Sequence, residues 1–146
     1  MAFTIEVANG PVFSSDVPVT GKSVLSESRP DGEEKTIVAW RVNNYLRSLD
    51  WVIEDNARVE FIDTSSFEGM EVYRRSLSFL LVLACKRGLA KDVVLRHSIS
   101  EGYYWEFVEG EVTDEDLAVI KATMADLVGK DLPFIRKVVP LDKARR

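Results

Sequence analysis

The sequence predicts an α+β protein built from two units, and three observations carry that prediction. Short alternating apolar runs, separated by Asn, Gly and Pro, recur at both ends of residues 3–62. A polar break, DTSSFEG, follows at residues 63–69. Beyond it, two segments of helical period flank a pair of aromatic-rich strands. The expected division is therefore residues 1–63 and 64–146.

In the first unit, FTIEV and GPVFSS are broken by Asn9, Gly10 and Pro11, as a β-hairpin requires. Residues 16–35 are polar, and SVLSES (Ser23–Ser28) offers one short helix that RPDGEE should end. A strand is expected near Ile37–Val42, a turn at Asn43–Asn44, an extended piece around Leu46–Asp50 and a closing strand over Ala57–Ile62. Mixed β around one short helix in about 62 residues describes a small β-grasp-like unit.

The second unit opens where Ser65 or Ser66 can cap a helix that sets Met70, Tyr73, Leu77, Leu80, Leu81 and Ala84 at intervals of three and four, with Gly88 as its stop. DVVLRHS and GYYWEFV read as strands joined by ISEG, with Tyr103, Trp105 and Phe107 on one face and Tyr104 and Glu106 on the other. Thr113, followed by Asp114, Glu115 and Asp116, caps a helix that presents Leu117, Ile120, Met124 and Leu127 to the core and closes at Gly129. PFIRKVV (Pro133–Val139) is expected to be a last strand, and PLDKARR reads as the start of a further segment.

Apolar residues make up 46% of the 146, enough for a core in one or two small domains. Nineteen Lys and Arg against 24 Asp and Glu leave a net charge of −5, which does not mark the whole molecule for nucleic acid, although a local basic face stays open. One cysteine, Cys85, excludes an internal disulfide or a multi-cysteine metal site, and suits a cytoplasmic chain. The start MAFTIEVANG lacks the pattern of a secretory signal, and LSFLLVLAC is too short to span a bilayer, so no membrane partner is expected.

Three stretches together resemble the amino-terminal region of threonyl-tRNA synthetases, a TGS domain followed by the domain that edits mischarged tRNA. They are VAWRVNNYLRSLDWVIEDNARVEFI, EGMEVYRRSLSFLL and HSISEGYYWEFVEGEVTDEDLAVIKATMADLVGKDLPFIRK. In those enzymes the helix carries His-x-x-x-His, and the positions here that match it are Arg75 and Phe79. A guanidinium stays charged and a phenyl ring has no proton to move, so the resemblance implies an editing scaffold without that chemistry, truncated at its C-terminal end. VYRRSLSFLL, LRHSISEGYYWEF and DLPFIRK also resemble bacterial uridine-kinase-like proteins, in which such a module precedes a kinase domain. That second resemblance implies a non-catalytic accessory module, regulatory or ligand-binding, whose partner is a C-terminal kinase domain of the same chain. No cofactor is expected in this fragment; ATP and Mg belong to the implied kinase domain. Gly21-Lys22-Ser23 lacks the first glycine of a phosphate loop and reads as an ordinary loop. The alternatives are an aminoacyl-tRNA deacylase-like domain and an RNA-binding module.

Arg75, Phe79, Arg96, His97 and Tyr104 are the candidate ligand-binding residues, with no catalytic or metal site. Arg75, with Arg74, Arg96 and Tyr104, would line an anion-binding cleft for a small anion or nucleotide; the plainer reading pairs Arg75 with Glu106. His97, the sole histidine, is either a ligand contact or an ordinary strand residue. Cys85 is read as an inert core thiol, and Tyr103, Trp105 and Phe107 as sheet packing. Trp40 and Trp51 either fill the small core or form a contact surface. Arg136, Lys137, Lys143, Arg145 and Arg146 could touch RNA phosphates.

Overall fold

The computed structural model describes residues 2–28, 36–100 and 102–144. The expected helix stop at RPDGEE, Glu101 of the ISEG turn, and Arg145 and Arg146 lie outside the described residues. The protein is a mixed α+β chain of two compact units, residues 1–77 and 78–146. The division falls inside a long helix, rather than at the polar break before it.

Unit one holds a five-stranded sheet in the order β2-β1-β7-β4-β5, formed by β1 (Phe3–Val7), β2 (Val12–Ser15), β4 (Ile37–Val42), β5 (Tyr45–Arg47) and β7 (Ala57–Asp63). The first and last strands, β1 and β7, run parallel at its centre, and the other pairings are antiparallel. Asparagine makes both hairpins: Asn9 (φ 57°) turns β1 into β2, and Asn43 (φ 47°) and Asn44 (φ 69°) turn β4 into β5. Asparagine tolerates the left-handed region that such turns demand. Asn43 also accepts from the Arg58 amide through Oδ1 at 2.9 Å, which fixes where β7 starts.

A second, two-stranded sheet pairs β3 (Val19–Thr20) with β6 (Val52–Ile53). Between β3 and β4 lies α1 (Gly21–Ser28), so Gly21-Lys22-Ser23 opens a helix rather than forming the expected loop. Thr20 and Ser23 bond reciprocally across its first turn. A Cβ on Gly21 would lie 2.9 Å from the Trp40 indole carbons, so only glycine lets α1 rest on that ring.

Trp40, fully buried, centres a core with Phe3, Ile5, Val24, Ile53, Ala57 and Val59. Its indole N–H finds no acceptor among the described residues. That costs about 1–3 kcal/mol, less than the roughly 4–6 kcal/mol gained by burying 150–250 Å² of aromatic surface at ~25 cal/mol per Å². Beyond β7, Ser66 caps α2 (Phe67–Gly88) by accepting from the Gly69 amide at 3.1 Å, and Arg41 pairs with both Glu60 and Glu68. On the first half of α2, Met70 is half-buried, but Tyr73 and Leu77 are exposed rather than on a core face.

Unit two contains the rest of α2, the ribbon of β8 (Val93–Ile99) and β9 (Gly102–Phe107), α3 (Asp114–Gly129) and α4 (Leu141–Ala144). Ala84, Cys85, Phe107, Ile120 and Leu127 are buried together, flanked by Leu80, Leu81, Trp105 and Met124. Tyr103, expected in the same stripe, is 39% exposed because it sits at the far end of the ribbon from that cluster. Thr113 caps α3 in a reciprocal capping box with Asp116. Gly88 ends α2 as expected, yet the left-handed residue is Ala90 (φ 54°); a Cβ on Gly88 would lie 2.6 Å from the Thr123 hydroxyl. Glycine there serves the close approach of α3.

PFIRKVV is not a strand. Residues 132–140 carry no regular structure, and Phe134, Ile135 and Val138 are exposed. Alternation supplies two faces but no hydrogen-bonding neighbour, and among the described residues none pairs with it.

Candidate functional site

Strand register brings three of the five candidate residues together. Leu95 pairs with Trp105, but the next pair is His97 with Tyr104, so Arg96 is the extra residue of a β-bulge. Directly opposed residues point to the same side. Val94, Glu106, His97 and Tyr104 therefore share one face of the ribbon, while Phe107 turns to the core. His97 and Tyr104 rings lie 5.4 Å apart and tilted by 31°.

Arg96 donates from Nε to Glu106 Oε1 at 2.7 Å, and its Nη2 pairs with the same carboxylate. The plainer expectation, which paired Glu106 with Arg75, is corrected: its partner is Arg96. Both side chains are substantially exposed, at 55% and 37%. Such a pair is worth under about 1 kcal/mol, so a phosphate or carboxylate could displace Glu106 from the guanidinium fork.

Arg75 stands exposed on the part of α2 that belongs to unit one, and its neighbour Arg74 lies 3.6 Å from Glu71. Phe79, one turn on, is in unit two. Its ring meets Phe134 at 5.6 Å in an apolar hollow of about 250 Å³, which Leu80, Leu83, Leu127 and Leu132 also line. Asp131 is the one residue with an ionisable side chain in that lining.

Cys85 and Asp116 titrate away from their ordinary values. Burial pushes the Cys85 thiol up, with the Asp116 carboxylate adding to the effect and the Lys91 ammonium opposing it; a protonated buried thiol is a poor nucleophile. The Asp116 carboxyl is held below the usual carboxylate range, first by its hydrogen bond from Lys91 and then by the Thr113 backbone amide. Lys91 reaches both Asp116 oxygens at 3.0 Å and sits 4.3 Å above the Phe107 ring. Both groups serve the packing of unit two. No group of three or more His, Cys, Asp or Glu side chains could hold a metal among the described residues. No described helix is long and apolar enough to cross a membrane.

The chain is 35% identical over 142 residues to the threonine–tRNA ligase of Azoarcus sp. (strain BH72), an alignment covering 96% of this chain and 22% of the ligase. The chain is similar to threonine–tRNA ligases. Those of Herminiimonas arsenicoxydans, at 33% over 144 residues, and Methylococcus capsulatus (strain ATCC 33009 / NCIMB 11132 / Bath), at 35% over 142, align over 97% and 96% of it. The chain spans about a fifth of the length of these relatives. No protein-family model matches it. These names lend no support to the expected uridine-kinase connection.

The bulge that gathers Arg96, His97 and Tyr104 has no mark in the sequence. Simple alternation counted from Val93 and Phe107 would set Arg96 opposite Tyr104 and His97 opposite Tyr103. A second feature was reachable from residue types: Arg47 lies between the rings of Tyr45 and Trp51.

Proposed function

We propose that the chain is a tRNA-engaging module, the counterpart of the amino-terminal region of threonine–tRNA ligases, that holds tRNA without hydrolysing an aminoacyl ester. The observation that carries this reading is the alignment over 96% of the chain with a ligase at 35% identity. The sheet supports a TGS-like, β-grasp first unit: two parallel terminal strands at the centre, with hairpins outside them. The second unit corresponds to the editing-like domain.

The non-hydrolytic part rests on the residues. Ester hydrolysis near neutral pH needs a group that takes a proton from water. Where the synthetase helix has its two histidines, this chain has Arg75 and Phe79. The ribbon face instead offers a displaceable guanidinium, a phenol and one imidazole, which suit recognition of phosphate and sugar or base. Arg136, Lys137 and Lys143, all exposed, add positive charge within unit two.

The test is a titration of mischarged, fluorescently labelled tRNA with the whole chain, followed by anisotropy while the released amino acid is counted. Saturable binding that weakens with salt, with release at the uncatalysed rate, is expected. Release above background overturns the non-hydrolytic part, and absence of binding overturns the tRNA reading. A uridine-kinase partner retains only the resemblance behind it.

A further inference from the structure

Unit one carries a stacked cation that its core does not use. The Arg47 guanidinium carbon lies 5.2 Å from the Tyr45 ring centre and 4.7 Å from that of Trp51, so both rings hold it by cation–π attraction. Neither ring belongs to the core around Trp40, and Tyr45 and Trp51 are 65% and 44% exposed. The remaining bond of the guanidinium is weak, 3.3 Å from Nη1 to the Leu46 carbonyl.

Among the described residues its charge has no carboxylate beside it. In the same unit Lys22 pairs with Asp50 at 2.8 Å, Arg41 with Glu60 and Glu68, and Arg74 with Glu71. Arg47 has no carboxylate partner among the described residues. A half-buried cation held against two exposed rings complements a ligand that alternates flat rings with negative charges.

We infer that Tyr45, Arg47 and Trp51 form a seat for single-stranded RNA, in which a base stacks on an exposed ring and the adjoining phosphate accepts from the Arg47 guanidinium. Bases stack on aromatic side chains whatever their sequence, so the seat reads strandedness rather than sequence. A duplex, whose bases are already stacked, offers it only a phosphate. The site is separate from the ribbon face, and only the choice of RNA rests on the tRNA reading above.

The experiment titrates the whole chain into a labelled single-stranded RNA heptamer and a blunt hairpin of the same composition, using Trp51→Leu, Trp51→Phe and Arg47→Gln, with melting curves for each. The chain should prefer the heptamer. Trp51→Leu should weaken heptamer binding by about tenfold or more, and Trp51→Phe should keep most of it. Arg47→Gln should reduce the slope of log K against log salt by about 0.7, the value for one phosphate on a single strand. If Trp51→Leu melts early, Arg47→Gln, which leaves both rings, carries the test. Equal affinity for hairpin and heptamer, or variants that melt and bind like the parent, overturns the inference. Binding of tRNA without binding of the heptamer overturns this seat alone, whereas binding of neither overturns the tRNA reading as well.

Discussion

Replacing Gly69 by alanine tests the junction that sets α2 on the sheet of unit one. A Cβ there would lie 1.8 Å from the Asp63 carbonyl oxygen, 2.6 Å from the carbonyl carbon and 3.0 Å from Ser66 Oγ. Real Cβ contacts do not fall below 3.0 Å, so Asp63 and the first turn of the helix must separate by at least 1.2 Å. No rotamer relieves the clash, because the obstacle is backbone. Overpacking of this kind costs about 1–3 kcal/mol. The movement also breaks the cap from Gly69 N to Ser66 Oγ, worth about 1 kcal/mol, and strains the bonds from Ser66 to the Asp63 carbonyl at 2.8 and 3.3 Å, at about 1 kcal/mol. Alanine returns up to about 1 kcal/mol of helix propensity. The balance is a loss of about 2–4 kcal/mol. Urea unfolding followed by circular dichroism should show the midpoint falling by at least about 0.7 M, given slopes of about 1–3 kcal/mol per M. Gly129→Ala, where a Cβ meets nothing within 4 Å, is the control and should be neutral or slightly stabilising. A Gly69→Ala midpoint equal to the parent's would refute the geometry of the junction.

Three further outcomes follow from unit two. Thr113→Ala removes the hydroxyl that accepts from Asp116 N at 3.1 Å and should cost about 0.5–2 kcal/mol, read as an earlier unfolding transition of α3. Because the folded Asp116 carboxyl is held below its ordinary value, its contribution is fully present above the unfolded carboxylate range near pH 4 and is lost as pH falls through the folded value; urea midpoints between pH 7 and 2 should fall more steeply for the parent than for Asp116→Asn. Glu106→Gln should change stability by less than about 1 kcal/mol while freeing Arg96 for phosphate, so tRNA should bind more tightly at low salt; unchanged affinity would remove Arg96 from the contact surface.

Local chemistry made much of the fold legible. Asn9, Asn43 and Asn44 mark turns because few other residues accept their backbone angles, and Thr113 with Asp116 marks a helix start because the two complete each other's hydrogen bonds. Pairing was not legible. PFIRKVV has the alternation of a strand, but a strand exists only against a neighbour, and sequence pattern does not supply one. The face of α2 through Tyr73 and Leu77 follows helical period, yet period says which residues align and not what covers them. In the candidate site, residue types suggested anion chemistry over proton transfer, and the bulge at Arg96 reset the register by one and decided which side chains share a face.

The account depends most on the claim that this fold engages tRNA through the ribbon face. Backbone amide spectra of the isotopically labelled chain, recorded as unlabelled tRNA is added, test it directly. The predicted result is saturable change at Arg96, His97, Ser98 and Tyr103–Glu106, with Cys85 and Leu127 in the core unmoved. Spectra in which saturating tRNA leaves the ribbon untouched contradict it.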